Sequence, residues 1–174
     1  RFTNEQQHHA ATRNFLLKHN NLLKPGDIFT PAPEAENGII GNVWESEQRK
    51  ERLRKFVVES YKNCTQALLE TGKVDIKCGY FSANGDVAEK VYNANTIANS
   101  GGVVVIDHYI SSVQRMSDDI VRIAQVQNAK VAIGEFGAPI PDINGQMTEQ
   151  QQEEFVRNLL QVFYTQKDKI SLIN

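Results

Sequence analysis

The sequence predicts an α/β fold built on parallel strands, and three observations carry that reading. Short apolar β-type runs alternate with amphipathic helical stripes along the whole chain, Gly and Pro punctuate the junctions, and capping boxes mark several helix starts. Strands separated by single amphipathic helices run parallel, joined by right-handed crossovers. Two architectures satisfy this pattern: an open flavodoxin-like sheet of five strands, or a partial TIM (β/α)8 barrel. Length favours the open sheet, because 174 residues fall short of the roughly 250 of a complete barrel. The pattern at the ends favours the barrel segment, since the chain opens on a helix with no strand before it and closes inside a strand.

The first helix is expected from the Thr3-Asn4-Glu5-Gln6 capping box to about Leu23, ended by Lys24-Pro25-Gly26. Asp27 to Thr30 follows as a short strand, stopped by Pro31 and Pro33, and a loop runs through Glu34, Glu36 and Gly41 to Trp44. From Ser46 to about Glu70 a helix places Leu53, Val57, Tyr61, Cys64 and Leu68 on one stripe. Val74 to Phe81 is the second strand, Asn84-Gly85 a turn, and Asp86-Val87-Ala88-Glu89 caps a helix running to Gly101-Gly102. Val103 to Ile106 is the most β-branched strand; a helix from about Ser117 to Asn128 separates it from the strand that begins at Lys130. Thr148 to Gln151 caps the last helix, with Phe155, Leu159, Val162 and Phe163 inward, and Ile170 to Ile173 begins a fifth strand.

Composition excludes several classes of partner. A formal charge of -2 and a pI near 6.1 give no electrostatic basis for binding nucleic acid or an anionic membrane. The basic cluster from Arg49 to Lys55 is interleaved with Glu51 and reads as one solvated helix face. No apolar stretch approaches the roughly 20 residues of a membrane-spanning helix. Cys64 and Cys78 read as small buried hydrophobes rather than a disulfide or a metal pair, since neither CxxC nor Cys/His ligand spacing accompanies them.

The chemistry gathers at the ends of the strands. In Val131-Ala132-Ile133-Gly134-Glu135-Phe136-Gly137, a carboxylate follows a continuous apolar run and is flanked by glycines, at the strand end where parallel α/β proteins place reacting groups. The corresponding ends of the other strands offer Glu34 and Glu36, then Ser82 and Asn84, then Asp107, His108 and Tyr109. Two carboxylates on one rim are what glycosidic cleavage requires, one to protonate the leaving oxygen and one to attack the anomeric carbon or activate water.

Ile133-Gly134-Glu135-Phe136-Gly137 resembles the nucleophile-bearing segment at the end of strand seven in (β/α)8-barrel glycoside hydrolases of the cellulase type. The resemblance extends over most of the chain and implies its C-terminal half-barrel, strands four to eight of the family order. It implies Glu135 as nucleophile and Glu34 as acid/base, with Asp107 and Tyr109 lining the sugar site, in a retaining hydrolase of poly- or oligosaccharides that needs no metal or organic cofactor. The family carries Asn before its acid/base Glu, where this chain has Pro33, which makes Glu36 the reserve candidate.

The remaining site candidates each have a structural alternative. Trp44 either stacks on a sugar ring or packs on the helix that starts at Ser46. Asn84 and Ser82 either bind substrate or form the turn, and His108 alternates with Asp107 and Tyr109, so it faces the other side as a structural histidine. Asp107 is costly at the end of an apolar strand unless paired or functional. A half-barrel would also leave strand edges and core-facing side chains uncovered, so an upstream half or a second chain is the expected partner besides the saccharide. Two other classes compete: a saccharide- or protein-binding module of the same fold, and a flavodoxin-like domain, which would lack a Gly-rich phosphate loop.

Overall fold

A computed structural model describes residues 4–174. Helix α1 (Glu5–His19) is capped by Asn4, whose side chain accepts from the Gln7 N–H at 2.9 Å. Thr3 of the expected capping box lies outside the described residues. Helix α2 (Glu47–Glu70) starts at Ser46, which caps the Arg49 N–H, and buries Leu53, Phe56, Val57, Ser60, Cys64, Ala67 and Leu68. Its basic cluster is ion-paired as the interleaving with Glu51 implies, with Lys50 paired to Glu47, Arg54 to Glu51 and Arg52 to Glu5 of α1. It is not wholly solvated: Arg54 is half-buried and also donates to the Val91 carbonyl at 2.8 Å.

The strands are all parallel. Strand β1 (Ile28–Phe29) pairs with β2 (Lys77–Cys78), while β3 (Ser82–Asn84), β4 (Val103–Asp107), β5 (Lys130–Glu135) and β6 (Ile170–Ile173) form a second sheet in that order. Each strand of this sheet is bonded to its neighbour in sequence, without the reversal of order that marks an open flavodoxin-like sheet.

The expected strand over residues 74–81 is instead divided. Gly79 at φ 127° and Tyr80 at φ 57° break the extended backbone between β2 and β3. The first piece pairs on β1 through Phe29 and Cys78, and the second on β4 through Ser82 and Val105. Ser82–Asn84 is therefore strand rather than turn, and the chain enters helix α3 (Gly85–Lys90) directly.

The helix expected to run to Gly101 is also two pieces, α3 and α4 (Ala94–Ala98). Asn93 recaps the chain, its side chain accepting from the Thr96 N–H at 2.8 Å. The amide of Gln127, a residue 1% exposed, donates to the carbonyls of Ala88 and Tyr92 at 2.7 and 3.2 Å. That satisfies backbone acceptors released by the break. Helix α5 (Val113–Gln127), capped by Ser112, starts four residues before the expected Ser117. A short helix α6 (Pro141–Asn144) and then α7 (Glu149–Thr165), opened by the Thr148/Gln151 capping box, lead into β6.

Two apolar clusters form the core. The larger holds Val104, Ile106, Val131 and Ile133 of the sheet together with Phe56, Met116, Ile120, Leu159 and Phe163 of the helices. The smaller gathers Leu16, Cys64, Ala67, Leu68, Ile76 and Cys78. Within it the reading of two free cysteines is corrected: Cys64 of α2 and Cys78 of β2 form a disulfide, with their Cα atoms 6.2 Å apart. The residues are 14 positions apart, one on a helix and one on a strand, and meet only when α2 packs on β2, so their spacing alone does not announce the pair.

Candidate active site

A cavity of about 630 Å³ opens over the sheet, and Glu34, Asp107 and Glu135 all line it. Alternation along the strands selects part of its wall. Val105 and Asp107 of β4, and Ala132 and Gly134 of β5, are pairs of residues two apart whose members project to one face, and Tyr80, Ser82, Ile133, Glu135, Leu172 and Asn174 join them.

Asp107 and Glu135 are register partners across β4 and β5, and Asn84 of β3 is the partner of Asp107 on the other side. One rung of the sheet therefore carries both carboxylates. Asp107 is 6% exposed, whereas Glu135 is exposed at the rim. Burial raises the Asp107 carboxyl above the usual carboxylate range, and the charges of Glu135 and Glu34 push the same way against a hydrogen bond from Ser82. Its Oδ1 has no hydrogen-bond partner and faces Gly134. A Cβ at Gly134 would overlap that oxygen and come within 3.1 Å of Val105 Cγ1, so glycine there is what makes room for the Asp107 carboxyl.

Tyr109 donates its hydroxyl to Glu135 Oε2 at 3.0 Å, and the His108 N–H donates to the Glu135 carbonyl at 2.9 Å. Burial, together with the Glu135 carboxylate, raises the Tyr109 phenol and keeps it a donor. His108 lies on the other side, as alternation predicts. Its Nε2 is 2.7 Å from Asp119 Oδ2, and its ring packs against Gly85. Burial pulls Asp119 upward, but His108 and Arg122 outweigh it and hold the carboxyl below its ordinary value.

The loop after β1 separates the two glutamates. Glu34 adopts a left-handed conformation, φ 44° and ψ 48°, and lines the cavity. Glu36 is 5% exposed and absent from the cavity wall; its Oε1 accepts from the Asn84 N–H at 2.8 Å. Asn84 thus serves the loop rather than the cavity wall, its side chain reaching Asn37 Oδ1 at 3.5 Å. Trp44 is also outside the wall, 46% exposed in a 3-10 turn with Lys50 Nζ 5.5 Å from its ring centroid. Sequence reasoning missed Tyr80, Gly134 and Asn174 as wall residues. The alternation that selects Asp107 also selects Gly134, whereas Tyr80 depends on the backbone break. Among the described residues no group of His, Cys, Asp and Glu is arranged to hold a metal ion, and no helix is long and apolar enough to cross a membrane.

No protein-family model matches the chain, and no curated protein matches it in sequence. Among solved structures it is similar to one described as the crystal structure of beta-glycosidase BGL167. The TM-score is 0.58 at 13% identity. The likeness is one of fold. It extends over 97% of this chain and 56% of that one, so the chain spans little more than half the length of the glycosidase it matches. The chain thus has a glycosidase-like α/β fold with parallel sheets.

Proposed function

We propose that the chain is the nucleophile-bearing part of a (β/α)8 glycoside hydrolase that cleaves poly- or oligosaccharides with retention. The observation that carries this reading is the convergence of Glu34, Asp107 and Glu135 on one cavity, from the loop after β1 and the ends of β4 and β5, with Tyr109 bonded to Glu135. The glycosidase-like fold supports it. Glu34 in its acid form protonates the departing glycosidic oxygen while Glu135 attacks the anomeric carbon, giving a covalent glycosyl-enzyme. Glu34, now a carboxylate, takes a proton from water, which attacks the same carbon and releases Glu135. Tyr109 aims the nucleophile, and Asp107 is placed to meet sugar hydroxyls.

The same reading makes the sheet part of a larger barrel. Among the described residues β1, β2, β3 and β6 each pair on one side only, β1 and β6 being the outermost in chain order, and Leu172 and Ile173 of β6 are exposed. Upstream strands, or a second chain, would cover these edges and close the cavity.

The test is hydrolysis of dinitrophenyl glycosides and oligosaccharides by the full-length protein, with Glu135→Gln and Glu34→Gln. Loss of turnover on the order of 10⁴-fold in Glu135→Gln, with folding intact, is expected of a nucleophile. Azide should rescue Glu34→Gln and form a glycosyl azide of retained configuration. Unchanged hydrolysis in Glu135→Gln overturns the assignment; saccharide binding without hydrolysis by the wild type would identify a binding module.

A further inference from the structure

We infer that Glu36 is a positioning residue for Glu34, its buried carboxyl fastening the loop so that Glu34 is turned into the cavity. This rests on the glycosidase reading for its kinetic consequence but not for its structural content.

Two backbone-level bonds define the fastening. The Glu34 N–H donates to the Ser82 carbonyl at 2.9 Å, and the Asn84 N–H donates to Glu36 Oε1 at 2.8 Å. Residues two apart on the loop thus meet residues two apart on β3, with the Glu36 side chain standing in for a second main-chain acceptor. Between them the chain makes a tight turn, closed by the Asn37 N–H on the Glu34 carbonyl at 2.9 Å. Glu34 enters that turn in a left-handed conformation, which a residue with a Cβ holds only where its surroundings determine it.

The environment of Glu36 suits an anchor and not an acid/base. The residue is 5% exposed and off the cavity wall, so it cannot reach a glycosidic oxygen there. Its Oε2 is buried without a hydrogen-bond partner. A buried carboxylate with one unpaired oxygen is costly, which favours the neutral acid. Burial indeed raises this carboxyl, with the charges of Glu34 and Asp107 adding to it and the Asn84 N–H opposing. Tyr92, whose buried hydroxyl also lacks a partner, completes the titratable groups facing it. Pro33 brings no donor of its own, so the hold on β3 falls to the Glu34 N–H, the Glu36 carboxyl and the contact of Asn37 with the Asn84 side chain.

Glu36→Ala and Glu36→Gln test the inference through two readouts. In the first, the Asn84 amide proton is followed by NMR. It should titrate with Glu36 in the wild type, lose that titration but keep its bonded shift in Glu36→Gln, and move toward an unbonded shift in Glu36→Ala. In the second, Glu36→Ala should lower kcat/KM on the order of 100-fold for alkyl glycosides, the cost of a misplaced proton donor. The kcat/KM of dinitrophenyl glycosides, which reports a first step whose leaving group needs no proton, should be spared, and Glu36→Gln should restore the alkyl-glycoside kcat/KM to within about threefold by retaining the acceptor. An Asn84 amide insensitive to both substitutions, or equal losses on the two substrates, overturns the inference. A wild type inactive on every glycoside would refute the glycosidase reading alone, and the Asn84 amide would still decide the anchor.

Discussion

The Tyr109 hydroxyl and Glu135 Oε2, 3.0 Å apart, tie the end of β4 to the end of β5 at the mouth of the cavity. The bond is exposed, so it contributes little to folding and much to the direction in which the carboxylate points. Tyr109→Phe should leave stability within about 0.5 kcal/mol of wild type. It should lower kcat/KM roughly 10- to 100-fold, the range for a hydrogen bond to a charged group. Thermal melts and glycoside kinetics measured together separate the two effects.

Gly134→Ala is expected to fail for the opposite reason, because its methyl group would occupy the space of Asp107 Oδ1. Overpacking of this kind costs about 1 to 3 kcal/mol. Pairing it with Asp107→Ser, which shortens the opposing side chain, should recover much of that loss. Denaturant titrations of the two singles and the double give the coupling, and strict additivity would show that the two side chains do not compete for the same volume.

Asp107 also makes stability depend on pH. Burial favours its neutral form, so the folded state holds this proton more tightly than the unfolded chain. Its contribution is fully present below the unfolded carboxylate pKa and is lost as pH rises through the higher folded value. Asp107→Asn should therefore match wild type at acid pH, melt at a higher temperature than wild type near pH 8, and be impaired in hydrolysis. Melting curves across pH 4 to 8 check the sign; a variant less stable than wild type at high pH would contradict it.

Reducing the Cys64–Cys78 disulfide, or replacing both residues with Ala, should cost about 3 kcal/mol, as expected for a crosslink closing a loop of this length. Near 170 residues that corresponds to a fall in Tm of roughly 6 to 12 °C. Calorimetry with and without a reductant gives the value.

How far the sequence specifies this arrangement depends on whether a feature is local. Strand β5 runs from Lys130 to Glu135 as the apolar run implies, and Thr148 opens its helix through the bonds its spacing predicts. Both are decided by neighbours along the chain. The division at Gly79 and Tyr80 is not: nothing around Tyr80 marks a non-glycine residue with positive φ, and the break exists because the two pieces pair with different strands. The break before Asn93 had a local sign, a cap three residues ahead of Thr96, overridden by the apolar spacing of Val87, Val91 and Ala94. Glu34 and Glu36 could not be separated from composition, because the bond from Asn84 that distinguishes them joins residues 48 positions apart.

The rung that joins Asn84, Asp107 and Glu135 acts as a ruler. The loop bearing Glu34 is fastened to β3 and the nucleophile candidate stands on β5, two strand spacings away, or about 10 Å between their backbones. That interval is set by the length of main-chain hydrogen bonds, not by the side chains packed beneath the sheet. Substitutions in the core can therefore loosen or tighten the protein while the interval between the loop bearing Glu34 and the end of β5 stays constant, and under the proposed function the backbone frames the gap that the two carboxylates offer to a sugar.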